Sequence, residues 1–162
     1  MNKAMLITAA VLAVIVLGGR KITLSTGVKG LRNNNPGNIR ETTGSYWEGQ
    51  TGTDGSFAIF AAPEYGIRAL ARVLMTYENK HKLTTVRGII NRYAPDSENE
   101  TDSYISHVAS TLGIDPDTNF SPTARLGELI PVIIKHENGQ QPYSQELIAL
   151  GVRMSKETFN YA

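Results

Sequence analysis

The chain has 162 residues, enough for one domain with a core of its own. It has no cysteine, which excludes disulfides, thiolate nucleophiles and thiolate metal ligands. Sixteen basic residues against 15 acidic ones leave a net charge of +1, and that balance excludes the basic footprint of a duplex nucleic-acid binder.

Between Lys3 and Arg20, residues Ala4 to Gly19 carry no charge. A bilayer core takes about 20 apolar residues, with about 17 at the short end. Residues 1–21 therefore read as an N-terminal transmembrane helix that anchors the protein. A signal peptide and a buried core helix are the other readings of the same run. Lys3 on one side and Arg20, Lys21, Lys29 and Arg32 on the other leave the orientation unset. Residues 22–30 read as a linker, and residues 31–162 as the folded domain.

From Pro36 to Phe60 the glycines and the Asp54-Gly55 turn signal predict a small antiparallel hairpin, with Phe57-Ala58-Ile59-Phe60 as one strand. After Pro63 the apolar spacing becomes helical. Ile67, Leu70, Ala71, Leu74 and Tyr77 mark a first helix, and Val86, Ile89, Ile90 and Tyr93 a second that Ala94-Pro95 ends. A third helix is capped by Asn99, carries Tyr104, Ile105, Val108 and Leu112 inward, and stops at Gly113. Ser121-Pro122 opens a fourth, with Leu126, Leu129, Ile130, Ile133 and Ile134 inward and a kink or split at Pro131. A last short helix runs from Ser144 to Leu150, before Gly151. The expected fold class is α+β, mostly α, with a small β-hairpin element.

Glu137 stands out in the fourth helix. It lies one turn after Ile133 and Ile134 and continues their apolar stripe. Burial disfavours the charged form of a carboxyl, so Glu137 is placed to keep a proton, as a general acid near neutral pH must; the other reading is a glutamate whose stem packs while its head reaches water at the helix end. Gly139 then stops the helix. The segment Arg32-Asn33-Asn34-Asn35-Pro36-Gly37-Asn38-Ile39-Arg40 is a shaped turn, because Asn and Gly tolerate left-handed backbone and Pro fixes φ. Its amides suit sugar hydroxyls and N-acetyl groups. Tyr46, Trp47, Tyr65, Tyr93 and Tyr104 can stack on sugar faces or fill a core. Helical spacing turns Tyr93 and Tyr104 toward the core, and Trp47 is the better cleft wall. His81, His107 and His136 have no metal-ligand spacing, and no nucleotide-binding or nucleophile-elbow motif occurs.

The pieces NNNPGNIR, Trp47-Glu48-Gly49, Phe57-Ala58-Ile59-Phe60, Pro63-Glu64-Tyr65-Gly66-Ile67-Arg68-Ala69, Tyr93-Ala94-Pro95 and His136-Glu137-Asn138-Gly139 together resemble virion-associated peptidoglycan hydrolases of bacteriophages, in the lysozyme-like superfamily. Two parts also look like pieces of bacterial glucosaminidases and lytic transglycosylases. In those enzymes a Glu at a helix end is the catalytic acid, and in the glucosaminidases an asparagine-rich turn comes after it. Here Glu137 comes near the end of the chain, so the resemblance implies a circular permutation of the same site. Glu41 and Glu48, beside the turn, are the rival acids.

The resemblance implies a lysozyme-like domain that cleaves the β-1,4 bond between N-acetylmuramic acid and N-acetylglucosamine. Glu137 would be catalytic, and Asn34, Asn38, Arg40, Trp47, Tyr65 and Tyr93 would border the glycan. No metal or cofactor is expected. The expected partners are peptidoglycan glycan strands, a membrane through the N-terminal helix, and other virion membrane proteins, with no nucleic acid. The expected place is a virion internal membrane or the host inner membrane, with the domain acting on the periplasmic cell wall during penetration or lysis. The alternative is a non-catalytic peptidoglycan-binding membrane or virion structural protein.

Overall fold

The computed structural model describes residues 12–17, 20–25, 27–42, 44, 46–95 and 98–157. In the N-terminal segment, β1 (Leu12–Leu17) pairs antiparallel with β2 (Arg20–Ser25), with Leu17 opposite Arg20. The expected transmembrane helix over residues 1–21 is therefore a strand in its described part, and the expected 22–30 linker begins inside a strand. Val14-Ile15-Val16 are β-branched, and the intervening sequence Gly18-Gly19 has the composition of a two-residue hairpin turn. Residues 1–11 lie outside the described residues, and among the described residues no helix is long and apolar enough to cross a membrane.

The single-turn helix α1 (Lys29–Arg32) already belongs to the domain. A Cβ on Gly30 would lie 2.5 Å from Asn138 Oδ1 and 2.7 Å from Asn38 Oδ1, so only glycine fits there. The predicted hairpin is β3 (Gln50–Thr53) against β4 (Ala58–Phe60), with a register shift between Gln50 and Gly52. Asp54 shapes its turn by accepting from the backbone N–H groups of Ser56 and Phe57. One more bridge, Arg40 to Phe57, joins the asparagine turn to the same small sheet.

The rest is helical. α2 (Pro63–His81) starts on Pro63, and its buried residues include Ile67, Leu70, Leu74 and Met75. Ile89 and Ile90 of α3 (Val86–Tyr93) join them, with Ile105 and Val108 of α4 (Glu98–Leu112) and Leu129, Ile130 and Ile133 of α5 (Leu126–Asn138), in one buried cluster. Thr85 caps α3 by accepting from Gly88 N at 3.1 Å. α4 begins at Glu98, so Asn99 lies inside the helix and is not its cap. Gly113, at φ 65°, ends it as expected. Ser121-Pro122 opens a turn, and α5 itself begins at Leu126. Pro131 stays inside one continuous α5. It removes a ladder bond, but buried Leu129 and Ile130 before it and Ile133 and Ile134 after it hold the helix through the gap.

α6 (Gln145–Glu157) runs through Gly151, which the sequence suggested as a stop. The reason is packing. A Cβ at Gly151 would sit 2.5 Å from Ile67 Cγ2, so this glycine lets α6 close on α2. Gly66 does the same where α2 meets the asparagine turn. A Cβ there would lie 2.0 Å from the carbonyl oxygen of Asn34 and 2.8 Å from Pro36 Cδ. Backbone cannot give way as a side-chain tip can, so Gly66→Ala is expected to cost about 3 kcal/mol, the upper end for overpacking. Urea unfolding with a lowered midpoint and unchanged m-value is the check; an unchanged midpoint would show that α2 is free to slide from the turn.

Candidate active site

The asparagine turn has one role for each amide. Asn35 is fully buried and ties the turn to the sheet: its Nδ2 donates to Ile39 O (2.9 Å) and Ala58 O (2.8 Å), and its Oδ1 accepts from Ile39 N (2.8 Å). Asn33 donates to Asp54 Oδ2 at 2.7 Å, and Asn34 to Phe60 O at 3.0 Å. Burial pushes the Asp54 carboxyl up, but hydrogen bonds from Phe57, Lys29, Asn33 and Ser56 win and hold it well below the usual carboxylate range. Asn34 and Asn38 both take left-handed backbone, at φ 50° and 48°, which asparagine tolerates and most residues do not. That twist at Asn38 aims its amide away from the sheet and toward α5.

There it meets Glu137. Asn38 Nδ2 donates to Glu137 Oε2 at 2.9 Å, between residues 99 positions apart. The neighbouring Asn138 is buried and fixes the end of α5 on the same turn, donating to Pro36 O (2.6 Å) and Ile134 O (2.9 Å). The Glu137 carboxyl has its pKa raised. Burial is the largest cause; the Asn38 amide and the Tyr104 hydroxyl favour the charged form but do not offset it. The C-terminal end of a helix is also an unfavourable place for a negative charge. Tyr104 is buried and its hydroxyl makes no fully formed hydrogen bond. Its ring stacks on His136 at 3.5 Å between centroids, 11° from parallel.

Glu137 opens onto a cleft of about 460 Å³, lined among others by Asn38, Arg40, Trp47, Phe57, Tyr77, Arg92, Tyr93, Pro95 and itself. Of the residues singled out in the sequence, the fold brings together Asn38, Arg40, Trp47, Tyr93 and Glu137. It leaves two outside. Asn34 spends its amide on Phe60, and Tyr65 packs under the hairpin, where a Cβ on Gly49 would lie 2.2 Å from its ring. Tyr93 has a double role: its hydroxyl donates to Gly37 O, and burial, then the nearby Glu137, push its pKa well above the ordinary value. The indole Nε1 of Trp47 is buried without a hydrogen-bond partner, a donor available to a ligand in the cleft.

The rival acids are placed otherwise. Glu48 pairs with the buried guanidinium of Arg68 at 2.5 Å, and Glu41 is exposed; neither lines the cleft. Phe57, Tyr77 and Arg92 are cleft residues that sequence reading missed. Tyr77 was visible only as part of the α2 stripe. No group of three or more His, Asp or Glu residues that could hold a metal ion occurs among the described residues.

Asn38→Gly keeps the backbone free to hold φ 48° and deletes the amide. Since that amide favours the charged form of Glu137, its loss is expected to raise the Glu137 pKa further. A carbon-13 NMR titration of the labelled glutamate carboxyls measures this. A downward move would mean that water replaces the amide as a better donor.

The fold and the site define a mostly helical α+β domain with one half-buried carboxyl of raised pKa in an aromatic cleft. No protein-family profile matches the chain. The chain is 40% identical over 150 residues to protein P5 of Pseudoalteromonas phage PM2, covering 90% of this chain and 91% of that protein. It belongs to the family of that bacteriophage protein.

Proposed function

We propose that this protein is a phage peptidoglycan-cleaving enzyme that breaks the β-1,4 bond between N-acetylmuramic acid and N-acetylglucosamine. The carrying observation is Glu137: a carboxyl whose pKa burial raises, oriented by Asn38, on the wall of an aromatic cleft. The contact between Glu137 and the asparagine turn supports a lysozyme-like site in permuted order, because catalysis depends on geometry and not on chain order. In this reading Trp47, Tyr77, Tyr93 and Phe57 offer faces to sugar rings, and the Trp47 N–H and Asn38 amide serve N-acetyl and hydroxyl groups.

Among the described residues Glu137 is the only carboxylate on the cleft wall. Most lysozymes use a second carboxylate to hold water or form a glycosyl intermediate. A lone Glu137 among the described residues of the wall favours lytic transglycosylase chemistry. Glu137 donates its proton to the glycosidic oxygen as the C1–O bond breaks. The resulting carboxylate then takes the proton of the muramic acid 6-hydroxyl as O6 bonds to C1, closing an anhydro ring. The attacking group belongs to the substrate, so proximity supplies much of the acceleration. The relative is a phage protein, and in this reading the enzyme acts at the host envelope, during penetration or lysis. The apolar run Ala4–Gly19 would supply the membrane contact, and other virion membrane proteins would be its neighbours.

Digestion of purified sacculi followed by muropeptide analysis is the test. Anhydro-muramic ends are the expected product. Reducing muramic ends would move the chemistry to hydrolysis, and cut stems to a peptidase. An unchanged profile with retained binding would make the protein a peptidoglycan-binding component without catalysis.

A further inference from the structure

Two guanidinium groups flank the cleft. Arg40 follows the asparagine turn, and its Cζ lies 5.4 Å from the Phe57 ring centroid. Arg92 is in the last turn of α3, and its Cζ lies 5.4 Å from the Tyr77 ring centroid. Both arginines and both rings line the same cleft. Neither guanidinium has a carboxylate partner among the described residues, whose ion pairs are made by Lys29, Arg68, Arg87 and Arg125. Among the described residues no ion pair joins Glu137 to either of them.

A chain of net charge +1 thus gathers around one cleft two cations without an ion-pair partner among the described residues. A ring face beneath a guanidinium steadies its plane and leaves N–H edges free, an arrangement suited to a carboxylate. A neutral sugar polymer has no use for such a pair. Building on the peptidoglycan reading above, we propose that Arg40 and Arg92 bind carboxylates carried by the glycan, so that the cleft selects an acid-bearing glycan over a neutral one of equal length. Peptidoglycan offers two sources of that group. The peptide stem carries it on an intact strand, and the lactyl group of muramic acid carries it once the stem is removed.

The full chain reports its own binding, because Trp47 is its single tryptophan and lines the cleft. Fluorescence titrations would compare a stem-bearing peptidoglycan tetrasaccharide, the same tetrasaccharide stripped by an amidase, and chitotetraose. At low salt the acid-bearing glycans are expected to bind about tenfold more tightly than chitotetraose, with the advantage shrinking as salt rises. Tighter binding of the stem-bearing form alone assigns the contact to the stem, and of the stripped form alone to the lactyl group; either upholds the proposal. The exposed positions of Arg40 and Arg92 allow the double variant Arg40→Gln, Arg92→Gln to fold, and it should lose the preference with its melting temperature unchanged. Equal binding of chitotetraose, a preference that survives in the double variant, or no binding of any probe overturns the proposal. Fluorescence reports binding whether or not the glycan is then cleaved, so a failure of the cleavage reading shows separately in the muropeptide profile.

Discussion

Glu137→Gln is expected to lower glycan cleavage by at least about 100-fold, the lower range for general acid–base catalysis. The replacement keeps the size of the side chain and a carbonyl oxygen for the Asn38 amide, so it removes little but the transferable proton. Stability should move the other way. The Glu137 pKa is raised in the folded protein, so between the ordinary carboxylate value of 4.5 and the raised one the folded state holds more proton than the unfolded state. Stability therefore falls as pH rises through that window, and above it the fold carries a buried charge. Glutamine has no such charge. The variant should match the parent below pH 4.5 and equal or exceed it at pH 7, with the gap opening across the window. Thermal melts from pH 4 to 8 beside activity at pH 7 measure both halves.

Glu41→Gln and Glu48→Gln are the controls. Glu48→Gln should cost stability, because it removes the carboxylate that pairs with the buried Arg68 guanidinium, and should leave turnover of the folded fraction intact. A dead Glu41 or Glu48 variant beside an active Glu137→Gln would move the acid to the asparagine turn and end the permutation idea. Activity in all three would reject the glycosidic mechanism.

Periodicity made the long helices readable. The Ile67, Leu70, Leu74 stripe of α2 and the Ile130, Ile133, Ile134 stripe of α5 have one dominant solution, and Glu137 stood out because it extended the second stripe. By the same spacing Asn138, four residues after Ile134, falls on the buried side of α5. Other features depend on tertiary contacts that no local pattern encodes. Asn34, Asn35 and Asn38 look alike in sequence, and only the packing of the turn against β4 and α5 gives one to Phe60, one to the core and one to Glu137. Arg92 reaches the cleft because the end of α3 is tied to the asparagine turn, with Tyr93 donating to Gly37 O, and Tyr77 of α2 lies under its guanidinium, contacts between segments far apart in the chain. Gly151 illustrates the ambiguity of glycine: it can stop a helix or admit a neighbouring one, and the nearby Ile67 decides for the second. In the N-terminal run, Val14-Ile15-Val16 and Gly18-Gly19 were hairpin signals outweighed by hydrophobicity.

Asn35→Ala is expected to be the most destabilising single replacement in the turn. The side chain is wholly buried and satisfies three backbone groups, Ile39 N–H, Ile39 C=O and Ala58 C=O. Each buried polar group left without a partner costs about 1–3 kcal/mol, so the loss should reach at least about 3 kcal/mol. That is a large share of the roughly 5–15 kcal/mol that holds a typical domain folded. The damage should spread to the site, because the same turn presents Asn38 to Glu137. Asn35→Asp separates shape from hydrogen bonding. It keeps an acceptor for Ile39 N–H but aims an oxygen at the carbonyls of Ile39 and Ala58. Burial and those carbonyls would raise its pKa in the folded state, so a protonated aspartic acid can still donate one bond at low pH. Its stability should be nearest the parent below about pH 4, the ordinary aspartate value, and fall as pH rises through the raised pKa. Denaturant titrations at pH 4 and pH 7 check this. An Asn35→Asp protein equally stable at both would mean that the turn has opened and let water reach the carboxylate, and that Asn35 does not hold the turn to the sheet.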